Sequence, residues 1–401
     1  MKSECDVLII GAGLVGLSLA AALSQSHLRV AIVDARPKPV QDNALPKRRD
    51  GYLLHAGVAP RVSAVNPSSQ AFLSRIRAWQ LIPENKISTY REMCVWDTRG
   101  TSHIEFGSPG EQSPALGHIV ENQLIENALI EVLVESGNVD FQWQSRLSEI
   151  VYQESGYQVH FDDGRKAACS LLVGADGGNS HVRELCSLRT VRWSYQQIAL
   201  VTTVETELGH HNTARQCFTK DGPLAFLPLI DEHLCSIVWS MQHVDELMGM
   251  ENQAFCEHLA ASFENRLGRV LGVDKRFSFP LVQQHALQYV DEHVVLIGDA
   301  AHTIHPLAGQ GANLGFADAR ALSQILAGAR LEGKAIGDLA LLKSYQRRRR
   351  AENMAMASAM EFFKRIYNTD NPGVIWIRNA GMRFLNGNEQ LKSIISRLAA
   401  G

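Results

Sequence analysis

Short apolar runs that stop at glycine alternate along this chain with stretches whose apolar residues recur every three to four positions. Residues 6–10 form a buried-strand pattern that stops at Gly11, and residues 14–23, rich in Ala and Leu, predict a helix. Residues 28–34 predict a second strand. Together they make a strand–helix–strand unit of the kind that begins a doubly wound sheet. Periodicity then disappears over residues 37–60, where prolines at 37, 39 and 46 and the cluster Lys47-Arg48-Arg49 predict a long surface loop. Beyond it, residues 68–79 predict a helix, and 93–97 and 104–106 predict strands. Residues 121–134 predict a helix with apolar positions at 124, 125, 128, 129, 132 and 133.

Period two takes over between about 142 and 173, around the hairpin signal Asp162-Asp163-Gly164. It returns from 195 to 240. Residues 251–268 predict a helix, 294–297 another buried strand stopped by Gly298, and the remainder is mostly helical. This order predicts an α/β (α+β) fold: a Rossmann-like domain, an interleaved β-sheet domain and a helical C-terminus.

The chain's 401 residues exceed one ordinary core, so two domains are expected. A net charge of −3 gives no reason to expect nucleic acid as a partner. The seven cysteines are odd in number and contain no CxxC pair, which fits a reducing, cytoplasmic setting better than a disulfide framework or zinc site. No signal peptide is expected, and no stretch reaches the roughly 18 apolar residues of a membrane-spanning helix.

Three motifs carry chemistry. Gly11-Ala12-Gly13-Leu14-Val15-Gly16 follows a strand, opens a helix and precedes a strand ending in Asp34. Gly11 permits the tight turn, Gly13 lets the backbone approach a pyrophosphate, and Gly16 lets the helix pack on the sheet. The helix N-terminus offers N–H groups to phosphate, and Asp34 stands where an acid meets ribose hydroxyls. The second motif, Gly174-Ala175-Asp176-Gly177-Gly178-Asn179-Ser180, sits at a strand's C-terminal edge; it reads equally well as a ligand site or a plain turn. The third runs from Gly298-Asp299-Ala300-Ala301-His302 through Pro306 and Gly309-Gln310-Gly311-Ala312-Asn313 to Asp318. Asp299 can accept bonds from polyol hydroxyls, and the helix that starts near Ala312 can stabilise negative charge on a ring.

The three motifs in this order resemble the aromatic-hydroxylase flavoproteins of the para-hydroxybenzoate hydroxylase type. Residues 61–66, 116–122, 225–229, 234–240 and 302–311 further resemble the ubiquinone-biosynthesis hydroxylases, the 2-polyprenylphenol hydroxylases in particular. The resemblance implies a discontinuous FAD-binding domain (1–75, 111–186 and 276–340), a substrate-binding β-sheet domain (76–110 and 187–275) and a helical region (341–401). It implies FAD as cofactor, NADH or NADPH as reductant, and O2 as co-substrate. Gly11, Gly13, Gly16, Asp34 and Arg36 would hold the ADP half. Arg61 would meet the cofactor near its pyrophosphate or flavin. Asn122 stands where the wider family often carries an Arg or Gln that contacts FAD. Asp176 and Gly177 belong to the motif linked with FAD and NAD(P)H, and Asp299 would bind the ribityl chain. Pro306, Gly311, Ala312 and Asn313 would frame the flavin ring on its reacting side, with no acid or base assigned. The implied substrate is a polyprenylphenol. A ubiquinone-biosynthesis protein complex, contact with the inner membrane and a homo-oligomer are further candidate associations. A small soluble aromatic substrate and a non-catalytic flavin-binding subunit are the alternatives.

His302 and His305 have the spacing of a metal pair, but Pro306 and the glycine loop follow and no third ligand is evident, so no metal is expected. The run Arg347-Arg348-Arg349-Arg350 reads as a solvated helix face. The apolar patches near 362–367 and 374–384 read first as core, with a peripheral docking surface as the alternative.

Overall fold

The computed structural model describes all residues except 1–3, 40–46, 50–51, 56, 108–113, 304–310, 368–370, 389 and 393–401. Its first sheet is built on parallel strands in the order Val139–Trp143, Val30–Asp34, Glu4–Ile10 and Lys166–Gly174. The last of these divides its outer edge. Residues 166–169 pair antiparallel with Gly156–Phe161, while residues 172–174 pair parallel with Val294–Leu296. Val7, Leu8, Ile9, Ile32, Leu171, Leu172 and Val173 are all buried within the main hydrophobic core, so these strands are covered on both faces. That is why these strands read as continuous apolar runs. Helix Leu14–Leu23 packs closely on helix Gly311–Leu331: a Cβ on Gly315 would lie 2.3 Å from Val15 Cγ2.

The second sheet runs in the order His302–Thr303, Phe277–Ala286, Thr190–Thr206, Leu234–Met241, Pro223–Pro228, Thr213–Phe218, Glu92–Asp97 and His103–Gly107. Side chains alternate across it with period two. Leu200, Val204, Phe226, Ile237 and Trp239 pack against Phe255, Leu259 and Phe263 of the helical layer Asn252–Ser262 and its cap. The opposite face carries the smaller cluster Ala199, Val201, Val238, Phe279 and Leu281.

Two expectations change. Within the stretch expected to be a loop, Lys47–Arg49 and Tyr52–His55 pair as an antiparallel hairpin. The hairpin lies against the edge strand Val270–Val273, a long-range contact that local periodicity does not register. The arginine run is also not a uniformly solvated face. Arg347 and Arg348 are exposed, but Arg349 is buried. Leu342, Tyr345, Arg349 and Asn353 recur at helical spacing on the inner side of helix Leu339–Tyr367, so Arg349 points inward, and Arg350 beside it is half-buried.

The tail helix Pro372–Asn386 docks on the hairpin of Glu92–Asp97 and His103–Gly107. Arg378 forms a buried ion pair with Asp97, the backbone N–H of Glu105 donates to Asn386 Oδ1 at 3.0 Å, and Tyr367 stacks on Phe218. Ile366, Tyr367, Met382 and Leu385 thus join a core, while Trp376 and Phe384 remain exposed.

Candidate cofactor and active site

The glycine turn is held by contacts that a side chain would destroy. Gly11 has φ +109°, and a Cβ there would lie 2.3 Å from the Ala175 carbonyl oxygen; one on Gly16 would lie 2.0 Å from the Gly11 carbonyl oxygen. At Gly13 the only neighbour of such a Cβ among the described residues is Arg36 Nη2 at 3.9 Å, so the helix entry is open at its Cα. Asp34, buried at the end of its strand, accepts the Ala12 N–H at 2.7 Å and the Arg36 N–H at 2.7 Å. The Arg36 guanidinium lies against the same carboxylate at 3.1 Å. Asp34 therefore closes the turn, and both of its oxygens are engaged by Ala12 and Arg36, so a ribose would bind there by displacing the Arg36 guanidinium. Glu126, 4.0 Å from Arg36, is a site residue that sequence reasoning missed. Burial raises its pKa, and Arg36 only partly offsets this. Its signal was weak: one of three glutamates in the helix, standing one turn past Asn122.

Asn122 does not project freely. It opens helix Asn122–Ser136, its backbone N–H donates to the Arg61 carbonyl at 3.0 Å, and its Oδ1 accepts the Ser63 hydroxyl at 2.6 Å. The Arg61 backbone is fixed in this way, while the exposed guanidinium lies 5.2 Å from the centre of the Phe279 ring. Its charge acts on both Glu126 and Asp299.

In the second motif, Asp176 Oδ2 accepts the backbone N–H groups of His181 (2.7 Å) and Val182 (3.2 Å). This oxygen caps a short helix. Asp176 Oδ1 is buried and has no hydrogen-bond partner among the described residues. Gly177 has φ +81°, the left-handed conformation that favours glycine. Arg183, three residues past this motif's Ser180, donates to the carbonyls of Ala300 and Gly178, both at 2.8 Å, and so ties the second motif to the third.

The third motif centres on Asp299. Asp299 is exposed, yet protein mass crowds around it. Burial raises its pKa, with His302 and Arg61 pulling the other way. Gly311 and Ala312 form the first turn of helix Gly311–Leu331, and a Cβ on Gly311 would meet nothing within 4 Å among the described residues. Asn313 is a staple: its amide donates to the Ala64 carbonyl at 2.8 Å, and its Oδ1 accepts the Asn66 N–H at 3.1 Å. His302 is buried with Nε2 2.5 Å from Asp318 Oδ2. Pro306 and His305 lie outside the described residues.

Ile10, Asp34, Gly174 and Leu296 all end at one edge of the parallel sheet, where open α/β sheets bind ligands. A cleft of about 960 Å³ lined by Glu4, Arg29, Asn138 and Asp140 lies at the other, N-terminal strand ends. None of the three motifs reaches it. The open Gly13, the acid–arginine group of Asp34, Arg36 and Glu126, the accessible Asp299 and the bare helix start at Gly311 fit the phosphate, ribose, polyol and ring of a flavin dinucleotide.

Residues 4–359 match the family model described as FAD binding domain. The chain belongs to this family. It is an FAD-dependent monooxygenase of the para-hydroxybenzoate hydroxylase type. Among its relatives, the 3-demethoxyubiquinol 3-hydroxylase of Escherichia coli (strain K12) is 33% identical over 380 residues, covering 94% of this chain and 93% of that one. The mitochondrial ubiquinone biosynthesis monooxygenase COQ6 of Xenopus tropicalis is 32% identical over 444 residues, covering 98% and 93%. The fold is shared with the p-nitrophenol 4-monooxygenase PnpA of Pseudomonas putida DLL-E4, at a TM-score of 0.77 and 18% identity, with 100% of this chain and 99% of that one covered. This flavoprotein monooxygenase therefore has its cofactor motifs on one sheet and a second sheet joined to them through the strand His302–Thr303.

Proposed function

We propose that this monooxygenase hydroxylates the aromatic ring of a polyprenylated phenol in ubiquinone biosynthesis, with NADH or NADPH as reductant. The observation that carries the reading is the small apolar face of the second sheet, Ala199, Val201, Val238, Phe279 and Leu281. It is joined to the cofactor motifs by the Arg61–Phe279 contact. Such a face would accept a ring with a hydrocarbon tail and exclude water from the reacting edge. The kinship with ubiquinone-pathway hydroxylases over nearly the whole chain points the same way.

Bound FAD would supply the electron transfer and the oxygen chemistry. The chain's residues bind, orient and exclude water. Gly11, Gly13 and Gly16 would seat the ADP half beside Asp34, Arg36 and Glu126. Arg61, held by Asn122, would carry positive charge to the pyrophosphate or the ring. Asp176 and Gly177 would line the passage to the flavin, and Asp299 would hold the ribityl chain. Pro306, Gly311, Ala312 and Asn313 would frame the ring. In domain terms, residues 1–75, 111–186 and 276–340 would serve the cofactor, and 76–110 with 187–275 the substrate.

The purified enzyme decides between substrates. Given NADH or NADPH and O2, it should add one oxygen atom to a short-chain 2-polyprenylphenol, read by mass spectrometry. Hydroxylation of a soluble phenol alone would replace the polyprenyl reading with that of a small-aromatic hydroxylase.

The lipid-soluble substrate also implies membrane contact. No described helix is long and apolar enough to cross a bilayer. Helix Pro372–Asn386, however, leaves Trp376 69% and Phe384 66% exposed, carries the exposed Arg383 and contains no acidic residue. Burying two aromatic side chains is worth about 1.5–3 kcal/mol each. The double variant Trp376→Ser, Phe384→Ser should therefore bind phosphatidylglycerol vesicles at least about tenfold more weakly in sedimentation. Equal sedimentation of variant and wild type would remove this helix as the contact.

A further inference from the structure

The best-built polar cluster away from the cofactor cleft is centred on Asp318, and its two carboxylate oxygens do different jobs. Oδ2 accepts the Gly298 N–H at 3.0 Å and contacts His302 Nε2 at 2.5 Å. These two residues bracket Asp299, one before it and the other three after. Oδ1 faces the helix Leu339–Tyr367, where it accepts Arg349 Nε at 2.7 Å and Asn353 Nδ2 at 3.4 Å. Arg349 in turn donates to Asn353 Oδ1 at 2.9 Å and to the Leu314 carbonyl at 3.4 Å. Asn353 also reaches the Tyr289 hydroxyl at 3.4 Å. His302, Asp318, Arg349 and Asn353 are all buried.

We propose that Arg349 and Asn353 are positioning residues for the flavin: through Asp318 they set the turn that aims the Asp299 carboxylate at the cofactor. The inference rests on FAD binding and not on which ring is hydroxylated. A carboxylate held at a single oxygen could pivot about its Cβ–Cγ bond. Clamped at both, Asp318 has one orientation, and so does the Gly298–His302 turn suspended from it. The guanidinium suits this role because its planar fork holds a carboxylate, an amide and a carbonyl in fixed directions, which an ammonium cannot do. The clamp gives the C-terminal helix a hold on the cofactor without touching it, as outer-shell partners do for metal ligands.

The purified holoprotein provides the test. Arg349→Lys keeps the charge and loses the fork; Asn353→Ala loses the amide and is the milder change. Arg378→Lys is the control, since it alters the other buried arginine–carboxylate pair, with Asp97, away from this turn. The readouts are the FAD dissociation constant, the flavin midpoint potential and the melting temperature. Both clamp variants should weaken FAD binding by about tenfold, within the range of coupling through packed networks, and should shift the potential. Arg378→Lys should lower the melting temperature and leave affinity and potential unchanged. If the clamp variants and the control have the same effect on FAD, or neither affects it, the network only staples the fold and the proposal fails. If Arg349→Lys yields no folded protein, Asn353→Ala against the same control decides.

Discussion

Replacing Gly13 by alanine is expected to leave the fold standing while weakening FAD binding by about 10- to 100-fold. Among the described residues the new methyl group would meet only Arg36 Nη2, at 3.9 Å, and Gly13 has φ −83° and ψ −176°, which alanine adopts without strain. As an N-cap, alanine costs about 1 kcal/mol. Against a bound pyrophosphate the same methyl is an overpacked contact, and a penalty of about 1–3 kcal/mol corresponds to the stated loss. Gly16→Ala should behave in the opposite order, because its methyl would lie 2.0 Å from the Gly11 carbonyl oxygen. It should lose stability before any cofactor is added. Flavin fluorescence titration and thermal unfolding of the two apoproteins separate the cases. Equal melting losses in both would mean that the Gly13 position is not set aside for a ligand.

Asp318→Ala should be among the most destabilising single changes in the molecule, at about 3–5 kcal/mol. It strands Arg349, His302 and the Gly298 N–H in a dry interior, and breaking a buried ionic group by removing one partner costs that much. Urea unfolding of the apoprotein measures the loss. The group also has a pH signature. Burial pushes the Asp318 carboxyl upward, but His302 and Arg349 more than offset this, so its pKa lies below the usual carboxylate value. A carboxyl depressed in the native state contributes stability that is fully present above its unfolded pKa of about 3.9. That contribution is lost as pH falls through the native value. The stability gap between wild type and Asp318→Asn should therefore be flat from pH 8 to about 5 and narrow only below about 4. A gap that closed near neutral pH would point to a histidine as the governing group.

The cofactor half of the fold was legible because its signals are local. Strands buried on both faces read as unbroken apolar runs, and the Gly11, Gly13 and Gly16 turn needs no distant partner to be recognised. The partners were hidden. Asp34 was visible as an acid at the right distance, but its bonds to the Ala12 N–H and to Arg36 depend on how the turn closes. Arg349 sits in a run of four arginines that looks solvated until Asp318, 31 residues earlier, is placed beside it. The hairpin at 47–55 depends on a strand more than 200 residues away. Contacts of that range leave no trace in a window of ten residues.

The links between the two sheets limit how the molecule can breathe. Strand Phe277–Ala286 of the second sheet passes to Val290–Asp291 of the first through residues 287–289, and Val294–Leu296 passes back to His302–Thr303 through residues 297–301. A span of three residues reaches only about 10–14 Å when fully extended. The layers are thus tied closely along this side and cannot part there as jaws do. The opposite margin is tied as well: the single residue Arg91 links Ser88–Tyr90, which pairs with Gly117–Glu121, to Glu92–Asp97, and the tail helix clasps Asp97 through Arg378. A bulky molecule would therefore enter by local shifts between two fixed margins rather than by a swing of one layer away from the other.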